Sequence, residues 1–284
     1  MKRLTLALLL ALAAGCNGSK PDSPVAPAAS FVTLKSHKVE VAHLVRDPDR
    51  RYPRGAGILC SWDRDRFVHF FSSDSPELCD VIFLDSAGRV IEVEKLAGFS
   101  EAGITSKSEV RHALFLSAGA IRNDGLEPGG TVTFSPLIAA TKPAAMPVVT
   151  VGGHKVHVET SHTLSQRQRG LMHRPRLSKD DGMLFLYPQA GERSFWMMNT
   201  LIALDIAYFD GDGRLLNVAR MKAAADPSQG GDLKAPSAGA ARFVLEVNYG
   251  WFDARGLIDA DGKPKAPVKL ELPAEVRKLA DDAE

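Results

Sequence analysis

Short runs of apolar residues, bounded by turn-forming residues, are the main pattern in the second half of the chain. The runs are rich in aromatic and branched side chains, which favour strands over helices. Gly211-Asp212-Gly213 separates two of the runs and is typical of a hairpin turn. The pattern predicts a mainly β unit, a β-sandwich or barrel-like fold with short helices, whose strands lie at 183–187, 195–197, 204–209, 215–218, 243–247 and 268–272.

Two short stretches carry the signals of helix ends. Ser165-Gln166-Arg167-Gln168 is typical of a capping box that opens one or two helical turns. Residues 249–255 predict a second short helix, which ends at Gly256 because glycine readily adopts the left-handed conformation.

The chain also contains an internal repeat. A shift of 125 positions aligns residues 57–93 with 182–218 without a gap, and a shift of 131 continues the match further on. One break in register over such a length indicates two tandem copies of one domain. We place a diverged first copy at 31–140, a linker at 141–147, the second copy at 148–273 and a C-terminal tail at 274–284.

The N-terminus has the layout of a bacterial secretory signal. Lys2 and Arg3 precede an uncharged apolar run that is too short to span a membrane, and the run closes at Gly15-Cys16. This ending resembles a lipoprotein cleavage box. The resemblance implies a signal peptide at 1–15, a lipid on Cys16 and a proline-containing tether at 16–30. The alternative is an ordinary signal peptide with a chance cysteine.

The lipoprotein resemblance also implies a location. A lipid on Cys16 makes the membrane a partner of the protein and holds the two copies on the periplasmic side of a bacterial membrane. Asn17 follows the cysteine, which by resemblance to the enterobacterial sorting rule favours the outer membrane.

Composition and charge exclude several classes of protein. Apolar residues make up 45% of the chain and charged residues 24%, which excludes wholesale disorder. The 35 Lys and Arg residues balance 34 Asp and Glu residues, so nothing favours a nucleic-acid partner. Three cysteines are too few for a multi-cysteine metal centre, and no Walker loop, dinucleotide glycine run or H-E-x-x-H motif occurs. We predict no metal site and no cofactor.

Motifs of the second half resemble a known family. They are Gly170-Leu171-Met172, the run 182–185, the run 195–206 and Val244-Leu245-Glu246. In this order, over about residues 155–273, they resemble the bacterial and archaeal family called domain of unknown function 192. The resemblance implies a small, mainly β fold that is frequent in exported proteins. It implies no established activity, so no catalytic residue is carried over.

The sequence departs from the family pattern in three places. Met198 stands where the family usually has Lys, and Ala203 stands where it usually has Pro. The stretch 223–240 is longer, and richer in Gly, Ala and Pro, than is usual.

Comparison of the two copies separates residues that the fold needs from residues that a site needs. Asp80 and Asp205 interrupt apolar runs at equivalent positions, where a buried carboxylate must be hydrogen-bonded or paired. Their presence in both copies favours a structural role, as acceptors from backbone N–H groups of a loop or of a neighbouring strand. The alternative is a buried acid with a shifted pKa.

Three positions of the second copy differ in chemistry from the first. The second copy has Trp196, Asn199 and Glu246 where the first has Phe71, Asp74 and Phe115. An acid and an amide beside a tryptophan are suited to a polar ligand. We therefore predict a ligand-binding set of Asn199, Glu246, Trp196 and Asp205.

The same residues allow a plainer interpretation, which we favour for the tryptophan. Trp196 then belongs to the hydrophobic core, and Glu246 is a rim carboxylate paired with Arg193 or Arg242.

Two cysteines of the first copy are candidates for a disulfide. Cys60 and Cys79 both lie in predicted strands, and an oxidising periplasm favours bridge formation. If their strands are neighbours, the bridge closes a loop that stabilises the fold by about 3 kcal/mol. The alternative is two buried thiols.

These observations favour a lipid-anchored binding or interaction module over an enzyme. Its partner is an unknown small molecule or envelope protein, bound in the second copy. The first alternative is a cell-envelope hydrolase that uses Asp205 and Glu246 as an acid–base pair, which requires both carboxylates in one cleft. The second alternative is a structural spacer, which predicts no concave pocket in either copy.

Overall fold

The computed structural model describes residues 30–34, 37–44, 57–72, 76, 78–120, 126–224 and 226–283 of the 284-residue chain. The predicted signal peptide, Cys16, most of the predicted tether and Asp74 lie outside the described residues. Within the described part, no helix combines the length and the apolar character that a membrane crossing requires.

The first copy consists mainly of short strands. β6 has all six of its residues buried, so both faces of its sheet are covered. A short helix, α1 (Pro136–Ala140), ends the copy. The strands are β1 (Phe31–Leu34), β2 (His37–Glu40), β3 (Ala42–Leu44), β4 (Ile58–Arg66), β5 (His69–Phe70), β6 (Cys79–Leu84), β7 (Val90–Leu96), β8 (Ile104–Thr105), β9 (Val110–Ser117) and β10 (Thr133–Phe134).

The second copy repeats this plan. Its helices are α2 (Leu164–Arg169), α3 (Ala274–Asp281) and the 3₁₀ turns Pro227–Asp232 and Asp253–Arg255. Its strands are β11 (Val148–Val151), β12 (His154–Ser161), β13 (Asp181–Gly191), β14 (Ser194–Trp196), β15 (Leu204–Phe209), β16 (Leu215–Met221), β17 (Lys234–Pro236), β18 (Ala241–Asn248) and β19 (Leu270–Glu271).

The two copies have the same strand connectivity. The order β3-β4-β9-β6-β7 in the first copy matches β12-β13-β18-β15-β16 in the second, and the leading pair is parallel in both. The ribbon β5–β8 likewise matches β14–β17. The register agrees too, because Ile82 pairs with Leu114 and Ala207 with Leu245, at the shifts of 125 and 131. The predicted duplication and the mainly β fold are both confirmed.

The helix ends differ in detail from the prediction. The capping box of α2 begins at Thr163, whose side chain accepts from the backbone of Gln166, and not at Ser165. The second predicted helix is only the 3₁₀ turn Asp253–Arg255, which ends at Gly256 with φ 66° as expected. The predicted tail contains α3, whose Val276 and Ala280 are fully buried in the core of the second copy.

The disulfide prediction is wrong. Cys60 and Cys79 are both buried, but within the described residues no disulfide joins them. Their strands are not neighbours, since Cys60 on β4 pairs with Ala113, Cys79 on β6 pairs with Ser117, and both partners belong to β9. Two strand spacings separate the backbones of the two cysteines by about 9.5 Å, before any offset along the strands is added. A disulfide requires Cα atoms closer than about 7 Å.

A buried ion cluster joins the two copies. Glu159 on β12 accepts two hydrogen bonds from Arg174, at 2.8 and 2.7 Å, and a third from Arg66 on β4 of the first copy. All three side chains are buried. A second contact places the guanidinium of Arg169 3.8 Å above the ring of Phe71. The second copy therefore covers the face of the first copy that carries Phe71.

Candidate functional site

A cavity of about 560 Å³ opens on the second copy, between α2, the end of β13 and β14. Tyr187, Phe195 and Trp196 supply aromatic surface to it, and Arg167 and Arg193 supply positive charge. Among the described residues that line the cavity, none is acidic. The volume and the mixture of aromatic walls with a few charged groups are typical of ligand sites.

The tryptophan of the predicted set belongs to this cavity. Trp196 is 48% exposed, whereas Trp62 and Trp251 are 3% and 4% exposed. Alternation along β14 is the reason, because Phe195 points inward and packs edge-on against Phe185 at 4.8 Å. Its neighbour in the strand must then point outward, so the interpretation of Trp196 as a core residue is wrong.

Two guanidinium groups lie over the ring of Tyr187. The Cζ atoms of Arg193 and Arg167 are 3.8 and 4.9 Å from the ring centroid. Arg193 also donates to the backbone carbonyls of Gln189, at 2.7 Å, and Ala241, at 3.3 Å. Burial raises the pKa of the Tyr187 phenol, against the lowering effect of both arginines, so the ring stays neutral near pH 7.

Asn199 lies outside the lining of the cavity and has a backbone role. Its φ of 52° is in the left-handed region, which asparagine tolerates better than most residues. Its N–H donates to the carbonyl of Pro227 and its carbonyl accepts from the N–H of His173, both at 2.7 Å. The first bond ties the turn before β15 to the 3₁₀ turn Pro227–Asp232, and the second ties it to the segment after α2.

Glu246 is buried and is not the rim carboxylate of the plainer interpretation. It lies on the face of β18 that its cross-strand partners Met183 and Ile206 share, and it is 5% exposed. The predicted partners are engaged elsewhere: Arg193 bonds to backbone carbonyls, and Arg242 pairs with Asp281 at 2.5 Å. The Glu246 carboxylate lies beneath the end of α2, where a Cβ on Gly170 would be 3.9 Å from Oε2.

Asp205 holds a loop in place, as the structural interpretation predicts. Its two carboxylate oxygens accept from the N–H groups of Gly250 at 3.0 Å and Phe252 at 3.1 Å. Asp80 accepts in the same way from the N–H of Gly119, at 2.7 Å. The position of Gly119 matches Gly250 at the shift of 131, so both copies contain the same carboxylate-to-loop bond.

Asp205 and Glu246 do not face one cleft. Asp205 pairs across the sheet with Val247, and Glu246 pairs with Ile206. Directly paired residues point to the same face and successive residues to opposite faces, so the two carboxylates lie on opposite sides of the sheet. The acid–base pair of the hydrolase alternative is therefore not formed.

The structure assembles a site that overlaps only partly with the predicted set. Of Asn199, Glu246, Trp196 and Asp205, only Trp196 lines the cavity. The charged residues of the cavity were missed as site residues. Comparison of the two copies could have identified one of them, because Arg193 aligns with the uncharged Val68 of the first copy at the shift of 125.

Comparisons with known proteins agree with the internal repeat. The model of the family DUF192, described as "Uncharacterized ACR", matches residues 48–134 and 147–262. No curated protein matches the chain.

Two solved structures are similar to part of the chain. A protein of unknown function from Novosphingobium aromaticivorans DSM 12444 is 32% identical with a TM-score of 0.37, over 44% of this chain and 83% of that one. A protein from Sinorhizobium meliloti 1021, described as a "putative transcription regulator", is 27% identical with a TM-score of 0.37, over 44% of this chain and 90% of that one. The two family matches cover more than half of the sequence, and the chain therefore belongs to the domain of unknown function 192 family and contains two copies of its domain.

Proposed function

We propose that the protein is a binding module of the cell envelope that takes an anionic ligand into the cavity of the second copy. The observation that carries the proposal is the lining of that cavity, which combines an exposed tryptophan with two arginines and has no acid among its described residues. Aromatic walls supply contact area, and a guanidinium supplies a charge-assisted hydrogen bond to a carboxylate or phosphate. The presence of the cavity argues against the structural spacer.

Arg193 is the residue that selects the anion in this proposal. Within the described part of the chain it forms no ion pair, and its contacts are to backbone carbonyls and the face of Tyr187. Its charge is therefore available to a ligand without breaking an existing pair, which avoids one of the usual costs of binding.

Fluorescence of Trp196 tests this proposal with benzoate as the probe and benzamide as its uncharged match. We expect benzoate to change the emission saturably, with a Kd on the order of 1 mM, because a ring and a single charge supply about 4 kcal/mol. Arg193→Ala is expected to weaken benzoate binding about tenfold through loss of the charged hydrogen bond.

Two variants outside the cavity are matched controls for this experiment. Tyr249→Ala removes an aromatic side chain of similar exposure to Trp196, and Arg214→Ala removes an exposed arginine of a hairpin. Both are expected to bind benzoate as the unaltered protein does. Equal responses to benzoate and benzamide, or an Arg193→Ala variant that binds benzoate normally, would contradict the anionic site.

The proposal includes a lipid anchor on Cys16, with the module on the periplasmic side of a bacterial membrane. The support is the sequence of the N-terminus, where an uncharged apolar run ends at Gly15-Cys16. The outer membrane is favoured by Asn17. More than one acyl chain on the cysteine gives stable anchoring, since each buried CH₂ contributes about 0.8 kcal/mol.

Replacement of Cys16 tests the anchor. We expect the unaltered protein to incorporate labelled palmitate and to stay in the membrane fraction, and Cys16→Ser to be unlabelled and released from membranes. Cys60→Ser is the matched control, because that cysteine lies inside the folded first copy and its loss leaves the acylation site intact. Palmitate labelling that survives in Cys16→Ser would disprove the assignment.

A further inference from the structure

The first copy retains a small counterpart of the cavity. Four of its lining residues align with residues that line the larger cavity when the sequence is shifted by 125 positions. They are Trp62, Val68, His69 and Phe70, which align with Tyr187, Arg193, Ser194 and Phe195. Its volume is only about 10 Å³, compared with about 560 Å³ in the second copy. Arg66, Glu159 and Arg174 complete its lining. The first cavity is therefore at the equivalent place but is filled.

The group that fills it is a carboxylate presented by a strand. Glu159 belongs to β12 of the second copy and reaches Arg66, at the end of β4 in the first copy. Arg174 accompanies it and binds both carboxylate oxygens. The first copy thus binds an acidic side chain at this position, presented by a strand that pairs with β11 and β13 of its own sheet.

The second copy has a guanidinium at the corresponding place. The position of Arg66 corresponds to Gly191, which has no side chain. The guanidinium of Arg193 occupies that space instead, since a Cβ on Gly191 would lie 3.5 Å from Nη2. Arg193 is therefore the counterpart in the second copy of Arg66, which donates one of the three hydrogen bonds to Glu159.

The strand beside this cavity has an open edge. Among the described strands β14 pairs only with β17, and all three β14 residues line the cavity whereas no β17 residue does. The carbonyl of Arg193 accepts from the N–H of Ser237 at 2.8 Å, so the backbone groups of Arg193 point toward β17. Backbone N–H and C=O groups of successive residues point alternately toward and away from the partner strand. The backbone groups of Ser194 and Trp196 therefore point away from β17. An extended chain can add to such an edge.

We propose, on the basis of the proposed function, that the cavity binds an extended acidic peptide segment of an envelope partner protein. The segment pairs with the open edge of β14 and places one Glu or Asp side chain on Arg193. The main-chain bonds supply affinity without sequence preference, and the carboxylate supplies the specificity.

Peptide libraries test the nature of the ligand. The probes are fluorescein-labelled hexapeptide libraries with a central Glu or a central Gln and random residues elsewhere. We expect binders in the Glu library, about tenfold weaker binding when their Glu is changed to Gln, and loss of binding when alternate backbone amides on the edge-facing side are N-methylated. N-methylation of the other set of amides should leave binding unchanged, because those amides face solvent.

Two variants at one position test the edge. Ser194→Pro removes an N–H that points toward the ligand but leaves the pairing with β17 intact, and Ser194→Ala removes only the hydroxyl. We expect Ser194→Pro to bind the peptide about tenfold more weakly than Ser194→Ala does, because only the proline variant lacks the N–H. An unchanged melting temperature in both variants would show that the fold is retained.

The outcomes separate this inference from the proposed function. Binding of benzoate without binding of any peptide would overturn the peptide assignment and leave the anionic site standing. If peptide binding is unaffected by N-methylation and by Ser194→Pro, the peptide does not pair with the edge of β14, and that part of the inference is wrong. If neither benzoate nor any peptide of the Glu library binds, the proposed function itself is wrong.

Discussion

Replacement of Glu159 with alanine is expected to lower the free energy of unfolding by about 3–5 kcal/mol. Glu159 accepts hydrogen bonds from Arg174 and from Arg66, and all three side chains are buried between the two copies. Its removal leaves two guanidinium groups in a site from which water is largely excluded, and they repel each other. The loss of the central charge therefore costs more than the loss of one ordinary contact.

Urea unfolding at neutral pH measures this effect without the ionic screening that guanidinium salts introduce. Glu271→Ala is the matched control, because that glutamate is exposed on β19 and its removal should change stability by less than about 0.5 kcal/mol. A loss below about 1 kcal/mol in Glu159→Ala would mean that the cluster behaves as a solvated surface pair. The contact between the copies would then be looser than the structure shows.

Asp205→Ala is expected to cost about 2–4 kcal/mol, because two buried N–H groups lose their acceptor. The groups belong to Gly250 and Phe252, in the loop that follows β18. Asp212→Ala, in an exposed hairpin, is the control and should be nearly neutral. Urea unfolding again gives the values, and equal stability of Asp205→Ala and Asp212→Ala would refute the loop-holding role.

The effect of Asp205→Ala should also depend on pH. Burial raises the pKa of Asp205 above its ordinary value of 3.8, and the bonds from Gly250 and Phe252 oppose this only in part. A raised pKa in the folded state means that the folded protein binds the proton more tightly than the unfolded chain. The stability that Asp205 contributes is then fully present below pH 3.8 and falls as the pH rises through the folded-state pKa. The loss in Asp205→Ala should therefore be larger in acid than at pH 7.

Sequence comparison succeeded where the two copies share a local pattern. The shifts of 125 and 131 predicted the duplication, and equivalent residues pair alike in the two sheets, Ile82 with Leu114 and Ala207 with Leu245. The loop-holding role of Asp205 was also accessible, since a carboxylate in an apolar run must find hydrogen-bond donors. Both inferences depend on chemistry within a few residues of one position.

The candidate site was predicted only in part. Trp196 was singled out because it differs from Phe71, but its exposure depends on which side of β14 faces the core, and the packing of Phe195 against Phe185 of β13 decides this. Glu246 was chosen by the same comparison, and its burial depends on how the end of α2 covers its face of the sheet.

Sequence alone determined the mainly β class, the duplication and the family of this protein, because these follow from short apolar runs and from motifs that recur along the chain. Tertiary structure alone decided the strand order that keeps Cys60 from Cys79, the opposite faces of Asp205 and Glu246, and the insertion of Glu159 into the first copy. These three outcomes depend on which distant segments pack together. That choice is made by the summed burial of the whole core and is not encoded at any single position.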